Sequence, residues 1–267
     1  MGLVDKKRMR KLRWTTQFVV LAIANLGFIQ ILKTGIPCPF FYCYACPAAA
    51  FACPIGVFQN CAILQQFPFY ALGLVGLFGL ALGRFWCGWA CPFGLVQDLV
   101  SLVRRRRSQD VVRLPRVAWT KFVVLFAVLI VAWAAAETLF CKICPAGSLF
   151  AAIPQRFVST EFSFGTFFYV HLATLAAALV LFALVGRFWC RFLCPMGAVL
   201  GLFNPVSILK VRVDFSKCTK CEDCLKVCPA RIEKLEDIES CTDCTRCGKC
   251  LESCGSEAIK ISASLKR

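Results

Sequence analysis

The sequence predicts an all-α four-helix transmembrane domain, a tandem repeat of two two-span halves, followed by a small C-terminal α+β domain held together by cysteines. Three observations predict it. The 267 residues are 59% hydrophobic, with a mean hydropathy of +0.69, too apolar for an ordinary soluble domain. The frame Gly-Arg-Phe-Trp-Cys-x3-Cys-Pro occurs twice, at Gly83–Pro92 and Gly186–Pro195, each time at the end of a long apolar run. And 20 residues are cysteine, nine of them in the last 62 positions.

Four apolar stretches have about the length that crosses some 30 Å of hydrocarbon: Trp14–Leu32, Phe67–Gly83, Val117–Glu137 and Thr166–Gly186. The basic residues orient them. Lys6, Lys7, Arg8, Arg10, Lys11 and Arg13 precede the first stretch, and Arg84, Arg104–Arg107, Arg113 and Arg116 lie between the second and third. Lys121 sits just inside the third, near enough to its end to snorkel outward. The other loops are nearly free of Lys and Arg. This asymmetry predicts a multi-pass protein of a bacterial or archaeal cytoplasmic membrane with both termini cytoplasmic, in contact with membrane lipid. The first run lacks a small-residue cleavage site, so it reads as a retained span. The net charge of +16 is then a topology signal, and nucleic acid is not expected as a partner.

Residues 1–204 form the predicted membrane domain and 205–267 the tail, with Asn204-Pro205 as the break. A Cys-Pro-x-Gly phrase occurs four times, at Cys53, Cys91, Cys144 and Cys194. Two spans per half give both halves the same orientation, a parallel membrane repeat. The predicted cytoplasmic side carries 13 of the cysteines, where disulfides are rare and metal ligation is the better account.

In the tail, Cys218-x2-Cys221-x2-Cys224-x3-Cys228-Pro is followed by Cys244-x2-Cys247-x2-Cys250-x3-Cys254. This is the bacterial two-cluster ferredoxin spacing, in which three cysteines hold three corners of a cubane and the fourth serves the other cluster. It assigns Cys218, Cys221, Cys224 and Cys254 to one 4Fe–4S cluster and Cys244, Cys247, Cys250 and Cys228 to a second. Cys254 is followed by Gly rather than Pro, and Cys241 is a spare that offers an alternative frame.

The four spans, the two Cys-x3-Cys-Pro motifs (Cys87/Cys91 and Cys190/Cys194) and the two-cluster tail together resemble the NapH-type membrane ferredoxins of periplasmic nitrate reduction. They also resemble the membrane polyferredoxin module of NosR-type proteins. The resemblance covers nearly the whole chain. It implies electron transfer between the quinol pool, or a cytoplasmic donor, and a periplasmic reductase or its cytochrome subunits. The cysteine-rich outer loops depart from that pattern.

If the halves meet about an axis along the membrane normal, Cys87 and Cys91 join Cys190 and Cys194 at the inner face as a four-thiolate set for one further Fe–S cluster. Each copy of the repeated string then supplies half a site. Arg84 and Arg187 would offset the negative charge of such a cluster. On the outer side, Cys141 and Cys144 would pair with two of Cys43, Cys46 and Cys53, with Cys38 and Cys61 nearby. Alternatively Cys38, Cys43 and Cys46 begin a plant-type cluster. Disulfides are an equally open reading on an oxidising face. Inner and outer sites would stand most of a bilayer apart, a long step for an electron.

His171, the only histidine, and Glu137 lie near the predicted outer face and are the candidate proton or quinol site. A histidine bonded to backbone and an interfacial carboxylate are the plainer reading. The function expected is membrane-bound iron–sulfur electron transfer. A biogenesis factor that reduces or delivers metal to a respiratory enzyme is the alternative, weakened by the presence of only three methionines.

Overall fold

The computed structural model of the chain describes residues 6–26, 36–43, 49–105, 119–154 and 165–263, side chains at 6–7, 102–105 and 167 excepted. The helical part runs α1 (Lys6–Ala24), α2 (Pro54–Ile63), α3 (Phe69–Leu82), α4 (Phe85–Trp89), α5 (Pro92–Arg105), α6 (Thr120–Ala135), α7 (Leu139–Ile143), α8 (Pro145–Gly147), α9 (Thr166–Leu184) and α10 (Pro195–Phe203). Wider π turns occupy Ser148–Ala152 and Trp189–Leu193. The tail holds β1 (Leu209–Val213), α11 (Asp223–Lys226), α12 (Lys249–Ser253) and β2 (Ile259–Ala263).

The cysteines themselves punctuate the helices. Cys53, Cys144 and Cys194 each stand in extended backbone as the N-cap of a helix whose first residue is Pro. Proline suits that position because its missing N–H would have had no helical partner and its φ is already helical. α5 likewise starts at Pro92, after Cys91. In both copies of the repeated frame the second cysteine's N–H reaches back five residues to a tryptophan carbonyl: Cys91 to Trp86 and Cys194 to Trp189, each at 2.9 Å. That wide closure turns the backbone through one loop between the two cysteines.

α2 packs on α6, α10 on α6 and α3, α9 on α5, and α1 on α5 and the tail's α12. Between them lies a core of Phe41, Tyr42, Phe93, Phe150, Phe182, Trp189 and Leu200. The tail has its own small core, in which Val211, Ile232, Ile238 and Ile259 surround cysteines. β1 and β2 pair antiparallel with Val211 opposite Ile261.

The expected four-helix transmembrane domain is corrected here. Among the described residues, no helix is long and apolar enough to cross a membrane. The apolar runs of the sequence pass through turns that end the helices early. The run from Trp14 ends as helix at Ala24, α3 has 14 residues and α6 has 16, about 21 and 24 Å of helix. α9, at 19 residues, is about 29 Å long. Much of the apolar content faces outward instead, at Leu77, Leu80, Phe126, Ile130 and Val180.

Asn204, expected as a break between domains, is fully buried and joins them. Its side chain donates to the Cys241 and Cys244 carbonyls at 2.8 and 2.9 Å and accepts from the Arg84 backbone N–H at 2.9 Å. Arg246 donates to the Leu82 and Asn204 carbonyls and to Ser207 Oγ. Lys121, expected to snorkel outward, is buried and pairs with Asp243. A buried cation of this kind persists only where it is paired.

Candidate cluster sites

Cys87, Cys91, Cys190 and Cys194, two from each copy of the repeat, are buried together. All six pairs among these thiols are near enough that ionising one opposes ionising another. Burial first, then this mutual repulsion, holds Cys91 and Cys194 in the neutral thiol form, so a metal entering here must displace protons. Gln97 donates its amide N–H to Cys190 Sγ at 3.1 Å, and the Gly197 N–H donates to Cys194 Sγ at 3.3 Å. The glycine of each phrase gives room for the motif's first cysteine. A Cβ on Gly94 would stand 3.0 Å from the Cys87 carbonyl, and one on Gly197 3.4 Å from that of Cys190.

The arginines of the repeated string do more than face the thiols. Arg84 donates to the Cys190 carbonyl at 2.7 Å and the Thr242 carbonyl at 2.8 Å, and stands 3.5 Å from Asp243. Arg187 is held by Asp98 and reaches Thr245 Oγ1 at 3.1 Å. Both also interact electrostatically with the Cys190 thiol, so each lies between the inner quartet and the tail.

In the tail, Cys228, Cys244, Cys247 and Cys250 form a second complete set, with every pair electrostatically coupled. With Cys224 they line about 420 Å³ of atom-free space. Burial pushes the Cys244 thiol up to about 12. Cys224 neighbours Cys218 and Cys254 of the other assigned set, and also Cys250, so the two tail sets adjoin. Cys221 is exposed at the rim. The spare Cys241 accepts at its sulfur from the Asp243 N–H and lies near Cys228 and Cys244.

The tail sets and the inner quartet touch. A Cβ on Gly88, between Cys87 and Cys91, would stand 2.4 Å from the Thr245 carbonyl and 3.1 Å from Cys247 Cα. Trp89 Nε1 donates to the Arg246 carbonyl and Arg13 to the Cys247 carbonyl.

At the expected outer face, Cys43, Cys53, Cys141 and Cys144 line a cavity with Phe41, Tyr42, Ile55 and Phe140. Cys46 lies outside the described residues, Cys38 bonds to the Phe40 and Ala52 carbonyls, and Cys61 is half-buried. The expected separation of the two faces is also corrected. The Cys91 thiol donates to the Phe41 carbonyl at 3.8 Å, and Phe41 itself lines the outer cavity. Phe41, Phe93, Phe140 and Trp189 form one aromatic group between the sites, with ring centroids 5.6–6.4 Å apart.

His171 and Glu137 each have a partner of their own. His171 Nδ1 lies 3.1 Å from Ser148 Oγ, against the Cys144 turn, while Glu137 is exposed and pairs with Lys142 at 2.5 Å. The glutamines and Asp98 went unread in the sequence. Their signal is a phrase present twice, Cys53-Pro-Ile-Gly-Val-Phe-Gln59 and Cys91-Pro-Phe-Gly-Leu-Val-Gln97.

Four thiols in each of the two complete sets, inner and tail, with no histidine among them, match the donor set of a 4Fe–4S cluster. Among the described residues, no three His, Cys, Asp or Glu side chains could hold one metal ion. A zinc ion draws its sulfurs to about 2.3 Å from one centre, whereas a cubane spreads four thiolates over its corners.

Comparison with known proteins agrees. A 4Fe-4S binding domain model matches residues 67–109, 118–158 and 167–214, each stretch holding one of the paired-cysteine motifs. An uncharacterized protein of Methanocaldococcus jannaschii is 26% identical over 249 residues, 90% of this chain and 98% of that one. The ferredoxin-type protein NapH of Haemophilus influenzae is 30% identical over 167 residues, 60% of this chain and 54% of its own length. The methylamine utilization ferredoxin-type protein MauN of Methylorubrum extorquens is 29% identical over 170 residues, 58% of this chain and 51% of its own. The chain thus spans about half the length of the NapH and MauN relatives it matches. No solved structure matches it. The chain is similar to ferredoxin-type proteins of the NapH and MauN kind, and its paired-cysteine stretches match a 4Fe-4S binding domain.

Proposed function

We propose that this iron–sulfur electron-transfer protein carries single electrons along a fixed line of thiol sites. Cys218, Cys221, Cys224 and Cys254 stand at one end of it, Cys244, Cys247, Cys250 and Cys228 lie between, and Cys87, Cys91, Cys190 and Cys194 stand next along it. When bound there, 4Fe–4S clusters supply reversible one-electron exchange at a potential set by hydrogen bonds, charge and solvent exposure.

The chain's residues supply the rest. Gly88 lets the backbone of residues 245–247 come into contact with α4, so the tail and the quartet share one wall. That contact is the observation that carries the proposal. Arg84 and Arg187 bring positive charge to that wall, where each added electron brings negative charge. The partner at the far end is a second redox protein, a reductase or cytochrome subunit of the kind an electron-transfer subunit serves. His171 and Glu137, each already partnered, are given no part in quinol chemistry.

The test is the iron and acid-labile sulfide of the anaerobically purified full chain beside a Cys87→Ser/Cys194→Ser variant. The variant loses about four irons per chain while the interacting electron-spin signal of the tail pair persists. Equal iron in both proteins would remove the quartet from the line.

A further inference from the structure

The outer cavity repeats part of the plan of the inner quartet. In the inner site, Cys91 caps α5, and Gln97, six residues on, donates to the thiol of Cys190, the first cysteine of a Cys-x3-Cys-Pro motif. In the outer site, Cys53 caps α2, and Gln59, six residues on, donates to the thiol of Cys141, the first cysteine of Cys-x2-Cys-Pro, at 3.4 Å. Each glutamine is fully buried, and each also bonds the carbonyl four residues back, Gln97 to Phe93 and Gln59 to Ile55. Each amide oxygen is buried with no hydrogen-bond partner, so both amides are oriented by what their nitrogens face.

The glycines of the Cys-Pro-x-Gly phrases stand in corresponding places: Gly197 N–H bonds the Cys194 thiol, and Gly94, Gly56 and Gly147 follow Cys91, Cys53 and Cys144 by the same three residues. A Cβ on Gly147 would stand 3.5 Å from the Cys141 carbonyl and 3.7 Å from Cys43 Sγ. Four cysteine side chains stand on the cavity's wall. An amide buried in an apolar core without full satisfaction is costly. Two such amides in equivalent places, both aimed at a sulfur, make sense where that sulfur is a thiolate and a strong acceptor.

We infer that Cys43, Cys53, Cys141 and Cys144 form a further Fe–S cluster site built on the plan of the inner one, with Gln59 as its positioning residue. The inference rests on the cluster reading of the inner quartet, and Phe41 joins the two sites through its carbonyl and its ring.

Iron and sulfide on the anaerobic full chain read the site out. About sixteen irons per chain are expected, falling to about twelve in Cys53→Ser/Cys141→Ser. About twelve in the parent, unchanged by that double substitution, overturns this inference and leaves the three-site line standing; about eight overturns both. Alkylation followed by mass mapping that finds Cys53 or Cys141 in a disulfide also overturns it. Gln59→Leu guards against a misfolded cysteine variant. It keeps the full iron content and lowers the reduction potential of one cluster, changing its reduced-to-oxidised ratio about tenfold, or 59 mV for one electron. A titration in which no potential moves overturns the role of Gln59.

Discussion

Arg187 and Asp98 form a two-point buried pair, Nη2 to Oδ2 at 2.5 Å and Nε to Oδ1 at 3.1 Å, with each side chain 2% exposed. The pair ties the second copy of the repeated string to α5, and Arg187 passes the link on to Thr245 in the tail. Lys249 adds a longer contact to the same carboxylate at 3.5 Å. Asp98→Asn strands a buried guanidinium and destabilises the fold by about 3–5 kcal/mol. Asp98→Leu/Arg187→Met removes both charges and costs less than either single change. Calorimetric unfolding of the three variants checks this, and additive losses would sink it.

The pH dependence of that pair has a definite sign. Burial alone would raise the Asp98 carboxyl, but the Arg187 guanidinium and the Lys249 ammonium outweigh it and hold it well below the usual carboxylate range. A depressed folded-state value means the contribution is fully present above the unfolded value, about 3.9. It is lost as pH falls from there toward the folded value. The stability difference between parent and Asp98→Asn should therefore stay flat from pH 8 to about 5 and shrink only below about 4. A difference that shrinks between pH 8 and 6 would contradict this origin.

Gly88→Ala places a methyl group into the Thr245 carbonyl and the Cys247 backbone, so one surface must move. Overpacking of this kind costs roughly 1–3 kcal/mol. The weaker side is the tail, whose core is small. Limited proteolysis should then release a C-terminal fragment several-fold faster than in the parent, with the helical part intact. Ser at position 88 should behave as Ala does, since the Cβ is the offending atom.

Removing iron with chelator and oxidant should melt the tail first. Its core is a handful of aliphatic residues around cysteines, so metal binding and folding are linked there. Amides of β1 and β2 should lose hydrogen-exchange protection while those of α6 keep theirs. Retained protection at Val211 and Ile261 would show that the two strands hold without metal.

The thiol sets were legible where the sequence repeats itself. Two copies of Cys-x3-Cys-Pro implied a site shared between halves, and the tail spacing implied two adjoining sets. What stayed hidden was set by helix phase. Gln59 and Gln97 carry no signal of their own until the Cys-Pro steps fix where α2 and α5 begin, and only then does a six-residue offset aim each amide at a sulfur. The buried bonds of Lys121 and Asn204 are not legible in sequence because their partners, Asp243 and the Cys241 and Cys244 carbonyls, lie in a loop with no periodicity to announce them. The spans were overestimated because hydropathy counts run through helix ends, as at Ala24 and Ala135, which only hydrogen bonding reveals.

Asn204 and Arg246 fasten residues 241–247 to the ends of α3 and α10 through groups sealed from water. A redox module secured in this way is no tethered arm that swings between docking partners. Transfer between the tail and the quartet needs no diffusive search, so its rate should be indifferent to solvent viscosity. Only the encounter with an outside partner should slow in glycerol.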